Sequence, residues 1–181
     1  MNFEIQKTAI EEVILIKPKI FHDTRGYFLE FYKESEFKKF GLNLKFVQDN
    51  FSYSNKNVIR GLHYQIKPFD QGKLVKVIKG RALDVAVDIR KKSRTFGKYI
   101  SVELSDENSM MMWIPSGFAH GYCALSYEVF FLYKCTKEYS PLHERGIRFD
   151  DPELKINWNI DNPILSTKDL ELPFLKSAEL F

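Results

Sequence analysis

Cysteine is scarce in this chain: two residues in 181, Cys123 and Cys135, each inside an apolar strand-like run. They read as packed free thiols, not as a disulfide framework. No apolar stretch reaches membrane-spanning length, and Met1-Asn2-Phe3-Glu4-Ile5-Gln6-Lys7 lacks the apolar core of a signal segment. A soluble, cytoplasmic protein with no membrane association is expected. Charge of one sign is missing as well: the net charge is +3, with Lys and Glu interspersed instead of blocked. That excludes nucleic acid as a partner and leaves local basic residues for a small anionic ligand. There is no internal repeat, linker or low-complexity run, so residues 1–181 are expected to form a single domain.

What the chain does have is aromatic side chains, 16 Phe and 9 Tyr, which suit sheets that bury one face. Short alternating segments recur about every ten residues, separated by turn signals. Strands are expected at Val13–Ile16, Phe28–Tyr32 (with Glu30 in its middle), Phe46–Tyr53, Lys73–Lys79, Ala82–Ile89, Ile100–Leu104, Met110–Ile114, His120–Leu125 and Glu128–Thr136. In Ala82–Ile89 the residues Leu83, Val85, Val87 and Ile89 share one side, and Asp84 and Asp88 the other. A helix is expected over Lys33–Phe40, stopped by Gly41, and a second helical piece near Ser166. The pattern is that of an all-β sandwich or barrel with a few short helices.

Chemistry is concentrated in Val58–Gln65, where Arg60, Gly61 and His63 follow an apolar strand start. A guanidinium grips phosphate through paired hydrogen bonds, an imidazole moves protons near neutral pH, and glycine lets a ligand approach the backbone. The chain has four histidines. His22 and His143 lie among polar loop residues and read as surface. His63 and His120 sit next to glycines at what read as strand ends, where a pocket mouth would be. A metal site of the two-histidine type is disfavoured, because the residue two after His63 is Gln65. A base needs an orienting acid, and Asp169 is a candidate, although Ser166 three residues earlier also fits a helix capping box. Asp84 and Asp88 read as ordinary strand residues. Tyr133 fits a core tyrosine with a bonded hydroxyl, and Lys73 is either solvated or turned inward to steady an oxyanion.

The motifs Asp23-x-Arg25-Gly26-x-Phe28, Phe46-Val47-Gln48-Asp49-Asn50, Arg60-Gly61-Leu62-His63-Tyr64-Gln65 and Gln71-Gly72-Lys73-Leu74-Val75 occur in order. They continue through Ile114-Pro115-x-Gly117-Phe118-Ala119-His120-Gly121, Tyr133-Lys134-Cys135-Thr136, Tyr139-Ser140-Pro141, Gly146-Ile147-Arg148 and Leu165-Ser166-x-Lys168-Asp169. From about residue 3 to 170 the chain closely resembles the dTDP-4-dehydrorhamnose 3,5-epimerase family of the cupin superfold. The resemblance implies a jelly-roll homodimer with neither metal nor cofactor. It also implies epimerisation of dTDP-4-dehydro-6-deoxy-D-glucose at carbons 3 and 5 through an enolate, within dTDP-L-rhamnose biosynthesis. By the same resemblance His63 is the base, Asp169 its partner, Tyr133 the acid on the opposite ring face and Lys73 the enolate stabiliser. His120 lies along the sugar and phosphate, and Arg25, Glu30, Gln48, Asn50, Arg60, Glu144 and Lys168 hold the nucleotide, with Tyr139 stacked on thymine. Ser116 stands where the family often has proline, and residues 66–70 vary. The competing readings are a single-carbon epimerase on a related nucleotide sugar, a non-catalytic sugar-binding cupin module, and a metal-dependent cupin oxygenase disfavoured by Gln65.

Overall fold

The computed structural model describes residues 2–181. Its elements in chain order are β1 (Phe3–Lys7), β2 (Ile14–Pro18), β3 (Ile20–Asp23), β4 (Gly26–Leu29), α1 (Glu34–Lys39), β5 (Gln48–Asn55), β6 (Ile59–Gln65), β7 (Lys73–Lys79), β8 (Arg81–Asp88), β9 (Tyr99–Ser105), β10 (Met111–Ile114), β11 (Phe118–Ala124), β12 (Glu128–Cys135), β13 (Glu144–Gly146) and α2 (Thr167–Leu170). A six-stranded antiparallel sheet, β1-β2-β10-β7-β12-β5, faces a five-stranded one, β13-β6-β11-β8-β9, and β3–β4 stands apart as a hairpin. This is the all-β, cupin-type roll that the strand spacing and the resemblance predict. No helix among the described residues is long and apolar enough to cross a membrane.

Three apolar layers hold the sheets. Between them lie Val75, Val77, Ala86, Met112, Ile114, Phe118, Val129 and Phe131. The outer face of the five-stranded sheet (Leu62, Leu83, Val85, Val87) is covered by the C-terminal chain through Ile147, Leu154, Trp158 and Leu175. The outer face of the six-stranded sheet (Ile16, Leu74, Met111) is covered by α1 through Phe37, whose ring meets Phe3 edge-on at 5.2 Å. Fully burying a Phe or Leu side chain is worth about 1.5–3 kcal/mol, so each layer fixes its sheet firmly.

Two expectations about strands are corrected. Leu83, Val85 and Val87 share a face as expected, and it is the outer one. Asp84 and Asp88, read as ordinary strand residues, are both fully buried. Asp88 is held by Arg90, Ser93 and Thr95. The expected strand Phe28–Tyr32 ends at Leu29, because the β3–β4 register pairs Ile20 with Leu29 and leaves Glu30 beyond the hairpin.

Lys76 is buried on the outer face, with Ser109 O at 3.4 Å as its hydrogen-bond acceptor. Burial lowers its pKa from 10.5 to about 8. The unfolded chain therefore binds more protons between pH 8 and 10.5, and Lys76 makes stability rise across that window. Tyr64 and Tyr133, pushed up to about 12 by burial, act in the opposite sense above pH 10. Lys76→Met is expected to stabilise the protein at pH 7 by on the order of 2 kcal/mol and to flatten the rise from pH 8 to 10. Denaturant unfolding at several pH values measures this; a destabilised variant at pH 7 would refute it.

Candidate active site

Arg60 and His63 are three residues apart, so in a regular strand they would point to opposite faces. In β6 they do not. Arg60 faces Tyr122 and His63 faces His120, three residues on β6 against two on β11. The extra residue is Gly61, a β-bulge that turns both side chains into one cavity. Gly61 has φ +132°, and a Cβ there would lie 2.5 Å from the Gly121 Cα. The sequence reading gave the space at Gly61 to a ligand; the neighbouring strand fills it. His63 and His120 accordingly lie within strands, not at their ends.

The cavity, about 570 Å³, lies between the sheets, in the size range of small-molecule sites. The C-terminal chain closes one wall: Ile59 N–H donates to Ile164 O at 2.9 Å and Ile164 N–H to Asn57 O at 2.8 Å. This strap carries α2 across the mouth, and with it Asp169. Asp169 makes a contact of each kind that the sequence offered. Its backbone N–H caps α2 on Ser166 Oγ, while its side chain meets His63 Nε2 at 2.7 Å. Burial by itself would raise the Asp169 carboxyl, but hydrogen bonds from His63, the Gly61 N–H and Ser166 outweigh it and hold the group below its usual range. An ionised carboxylate only accepts, so Nε2 is the nitrogen that donates to Asp169, and Nδ1 is the one not engaged by it.

The second histidine has its own acid. His120 Nε2 lies 2.7 Å from Asp84 Oδ1, both buried, and Asp84 Oδ2 has no hydrogen-bond partner among the described residues. Burial pushes the His120 ring down against the pull of Asp84, which favours neutral imidazole.

On the facing sheet, β7 and β12 present Lys73 and Tyr133, with the Lys73 Nζ 5.8 Å from the Tyr133 ring centre. Lys73 is buried and turned inward, and desolvation lowers its pKa. A group in that state gains from an anion developing beside it. Burial likewise pushes Tyr133 up to about 12, so it stays a protonated donor at neutral pH. Cys135, two residues on, is a buried thiol that accepts from Asn50 Nδ2 at 3.5 Å.

Alternate residues of β5 complete this wall, with Asn50 and Ser52 on the cavity. Gln48 donates to Asn50 at 2.9 Å and accepts from Tyr139 N–H at 2.7 Å. Tyr139 O–H and Lys168 Nζ both donate to Glu144 Oε2 at 2.6 Å. Burial would raise Glu144, but those two donors pull it below its ordinary value, and it in turn raises Lys168. Eleven of the thirteen sequence-nominated residues thus gather in or beside the cavity. Arg25 and Glu30 do not: Arg25 pairs with Asp23 on the exposed β3–β4 turn, and Glu30 accepts from Asn2. Sequence reasoning missed Asp84, Ser52, Ser54 and Tyr122. The period-two spacing from Gln48 and Asn50, and from His120, was the available signal. His143, expected at the surface, is half-buried against Phe69 and bonded to Ser140. Among the described residues no group of three or more His, Cys, Asp or Glu side chains is arranged to hold a metal ion.

Residues 7–177 match the family model described as dTDP-4-dehydrorhamnose 3,5-epimerase. An enzyme of that name from Shigella flexneri is 49% identical over 176 residues, covering 97% of both chains. The solved dTDP-4-dehydrorhamnose 3,5-epimerase of Sulfolobus tokodaii has a TM-score of 0.94 and 50% identity, covering 100% of this chain and 99% of its own. The dTDP-6-deoxy-D-glucose-3,5-epimerase of Legionella pneumophila, solved with dTDP-4-keto-L-rhamnose, has a TM-score of 0.94 and 46% identity, covering 97% of this chain and 94% of its own.

Proposed function

The chain belongs to the dTDP-4-dehydrorhamnose 3,5-epimerase family, and on that premise we propose that it is an isomerase inverting carbons 3 and 5 of dTDP-4-dehydro-6-deoxy-D-glucose. The product is dTDP-4-dehydro-L-rhamnose, for dTDP-L-rhamnose synthesis. One observation carries the reading. A histidine on the five-stranded sheet, paired with a carboxylate from α2, and a protonated phenol on the six-stranded sheet line the same cavity. His63 removes a proton from a carbon beside the 4-ketone. The charge moves to the ketone oxygen, where Lys73 meets it. Tyr133 delivers a proton to the other face of the same carbon, and the configuration inverts. The ketone acidifies both flanking carbons, so one oxyanion site serves two inversions.

Arg60 holds the diphosphate, and His120 lies along the sugar and phosphate. Gln48, Asn50, Glu144 and Lys168 hold the rest of the nucleotide, with Tyr139 stacked on thymine. The working unit is a homodimer. The support for this is the β3–β4 hairpin, whose Tyr27 and Phe28 are 60% and 65% exposed, together with the unpaired outer edge of β5 and its exposed Phe51. A second copy's hairpin lying along that edge would bring its Arg25 and Glu30 towards the nucleotide, the role the resemblance gives them. The buried free thiols suit a reducing compartment, and we place the enzyme in the cytoplasm.

Incubation with dTDP-4-dehydro-6-deoxy-D-glucose in deuterated water, followed by NMR, tests the reading. Deuterium at both carbons with formation of the L-sugar is the expected result. Label at one carbon would make the protein a single-carbon epimerase. Label at neither, with substrate bound, would make it a binding module.

A further inference from the structure

Arg60 is anchored by a row of hydroxyls that the proton transfers do not use. Its Nε donates to Ser54 Oγ at 3.0 Å and its Nη2 to Tyr53 O at 3.0 Å. Two of the five guanidinium donors are thereby fixed, and the rest have no partner among the described residues and can meet a ligand in the cavity that Arg60 lines. Ser54 Oγ in turn lies 2.9 Å from Tyr122 Oη, which lies 2.9 Å from Ser52 Oγ.

The direction of this row follows from what each oxygen can do. Ser54 is buried and already accepts from Arg60, and Tyr122 Oη is the acceptor within reach of its own proton. Ser54 therefore donates to Tyr122, and Tyr122 spends its proton on Ser52. The row then runs Arg60 → Ser54 → Tyr122 → Ser52, and the Ser52 hydroxyl proton is the one left over. Ser52 lines the cavity. Hydrogen bonds arranged head to tail polarise one another, and a cation at the head makes the last hydroxyl a stronger donor.

We propose that Tyr122 is a positioning residue that couples Arg60 to Ser52, so that the Ser52 hydroxyl becomes a second, charge-polarised donor to the phosphate groups of the nucleotide. The inference rests on the reading of this cavity as a nucleotide-diphosphate-sugar site. It also explains a tyrosine here: the ring stacks on Phe131 at 4.1 Å with planes 3° apart, which phenylalanine would do equally well, so the hydroxyl is present for the row.

Tyr122→Phe keeps that stacking and removes the relay. Calorimetric titration with dTDP and with thymidine separates phosphate contacts from base contacts. Tyr122→Phe and Ser52→Ala are each expected to weaken dTDP about tenfold, the lower end of what a hydrogen bond to a charged group contributes, and to leave thymidine within twofold. In turnover, KM for the dTDP-sugar rises about tenfold and kcat changes less than twofold. The double variant is expected to be no more than about twofold worse than either single one, because Ser52 depends on the relay. Unchanged dTDP affinity in Tyr122→Phe, equal losses for dTDP and thymidine, or fully additive losses in the double variant would each overturn the coupling. A wild-type protein binding neither probe would overturn the nucleotide reading itself. Failure of the relay alone leaves wild-type dTDP binding intact.

Discussion

His63→Ala is expected to abolish both inversion and solvent exchange, at carbon 3 and at carbon 5 alike. A positioned general base contributes roughly 100- to 10,000-fold, and nothing else in the cavity replaces it. Asp169 is committed to His63 and sits on the far side of the ring, 2.7 Å from Nε2. His120 points into the same space but is bonded to Asp84 through its own Nε2. Lys73 is buried with its pKa lowered, yet it stands on the opposite sheet beside Tyr133, where the oxyanion is to be held. Without His63 no enolate forms, so deuterium should enter neither carbon. Binding of dTDP should survive, since Arg60 and the rim of Gln48, Tyr139, Glu144 and Lys168 are untouched. Deuterium exchange at the wild-type rate in His63→Ala would remove His63 from the role of base and leave Lys73 or His120 to take it.

Tyr133→Phe is expected to fail in a different way. The substitution removes one hydroxyl from a ring packed against the inter-sheet core, while His63, Asp169 and Lys73 stay in place. The enolate should still form and take its proton back from His63 on the original face. The expected signature is deuterium incorporation with little net inversion, clearest at carbon 5. The inversion rate should fall roughly 100- to 10,000-fold while exchange falls much less. Burial pushes Tyr133 up to about 12, so in the wild type the acid form persists across the neutral range and its protonation sets no limit on activity there. Loss of exchange as complete as in His63→Ala would mean that Tyr133 shapes the site or polarises the ketone. Normal inversion would mean that water or another residue is the acid.

How far the sequence by itself determined this protein can be followed residue by residue. Alternation along β5, β8 and β9 is a local property of extended chain, set by the two-residue repeat of the backbone. It was legible, and so was the helix over Glu34–Lys39, framed by Lys33 and Phe40. The family resemblance likewise nominated eleven side chains, ten of them inside the ordered motifs, that the fold gathers around one cavity.

What each face would meet was not legible. Leu83, Val85 and Val87 form the more apolar side of β8, yet they turn outward. The C-terminal chain packs over them, and that covering lies some seventy residues away in sequence. Asp84 could then face inward because His120, two residues from its register partner Tyr122 on the adjoining strand β11, bonds its carboxylate. Nor does spacing show that Arg60 and His63 point the same way. That depends on the bulge at Gly61, which exists because Gly121 on the adjoining strand leaves room for it. Asp169 reaches His63 across 106 positions, because a strap pinned at Asn57 and Ile59 lays α2 over the mouth of the cavity. Local pattern is written in each strand's own residues. The sidedness of the sheets, the bulge and the dyad arise from contacts between segments distant in the chain, and those were decided by packing alone.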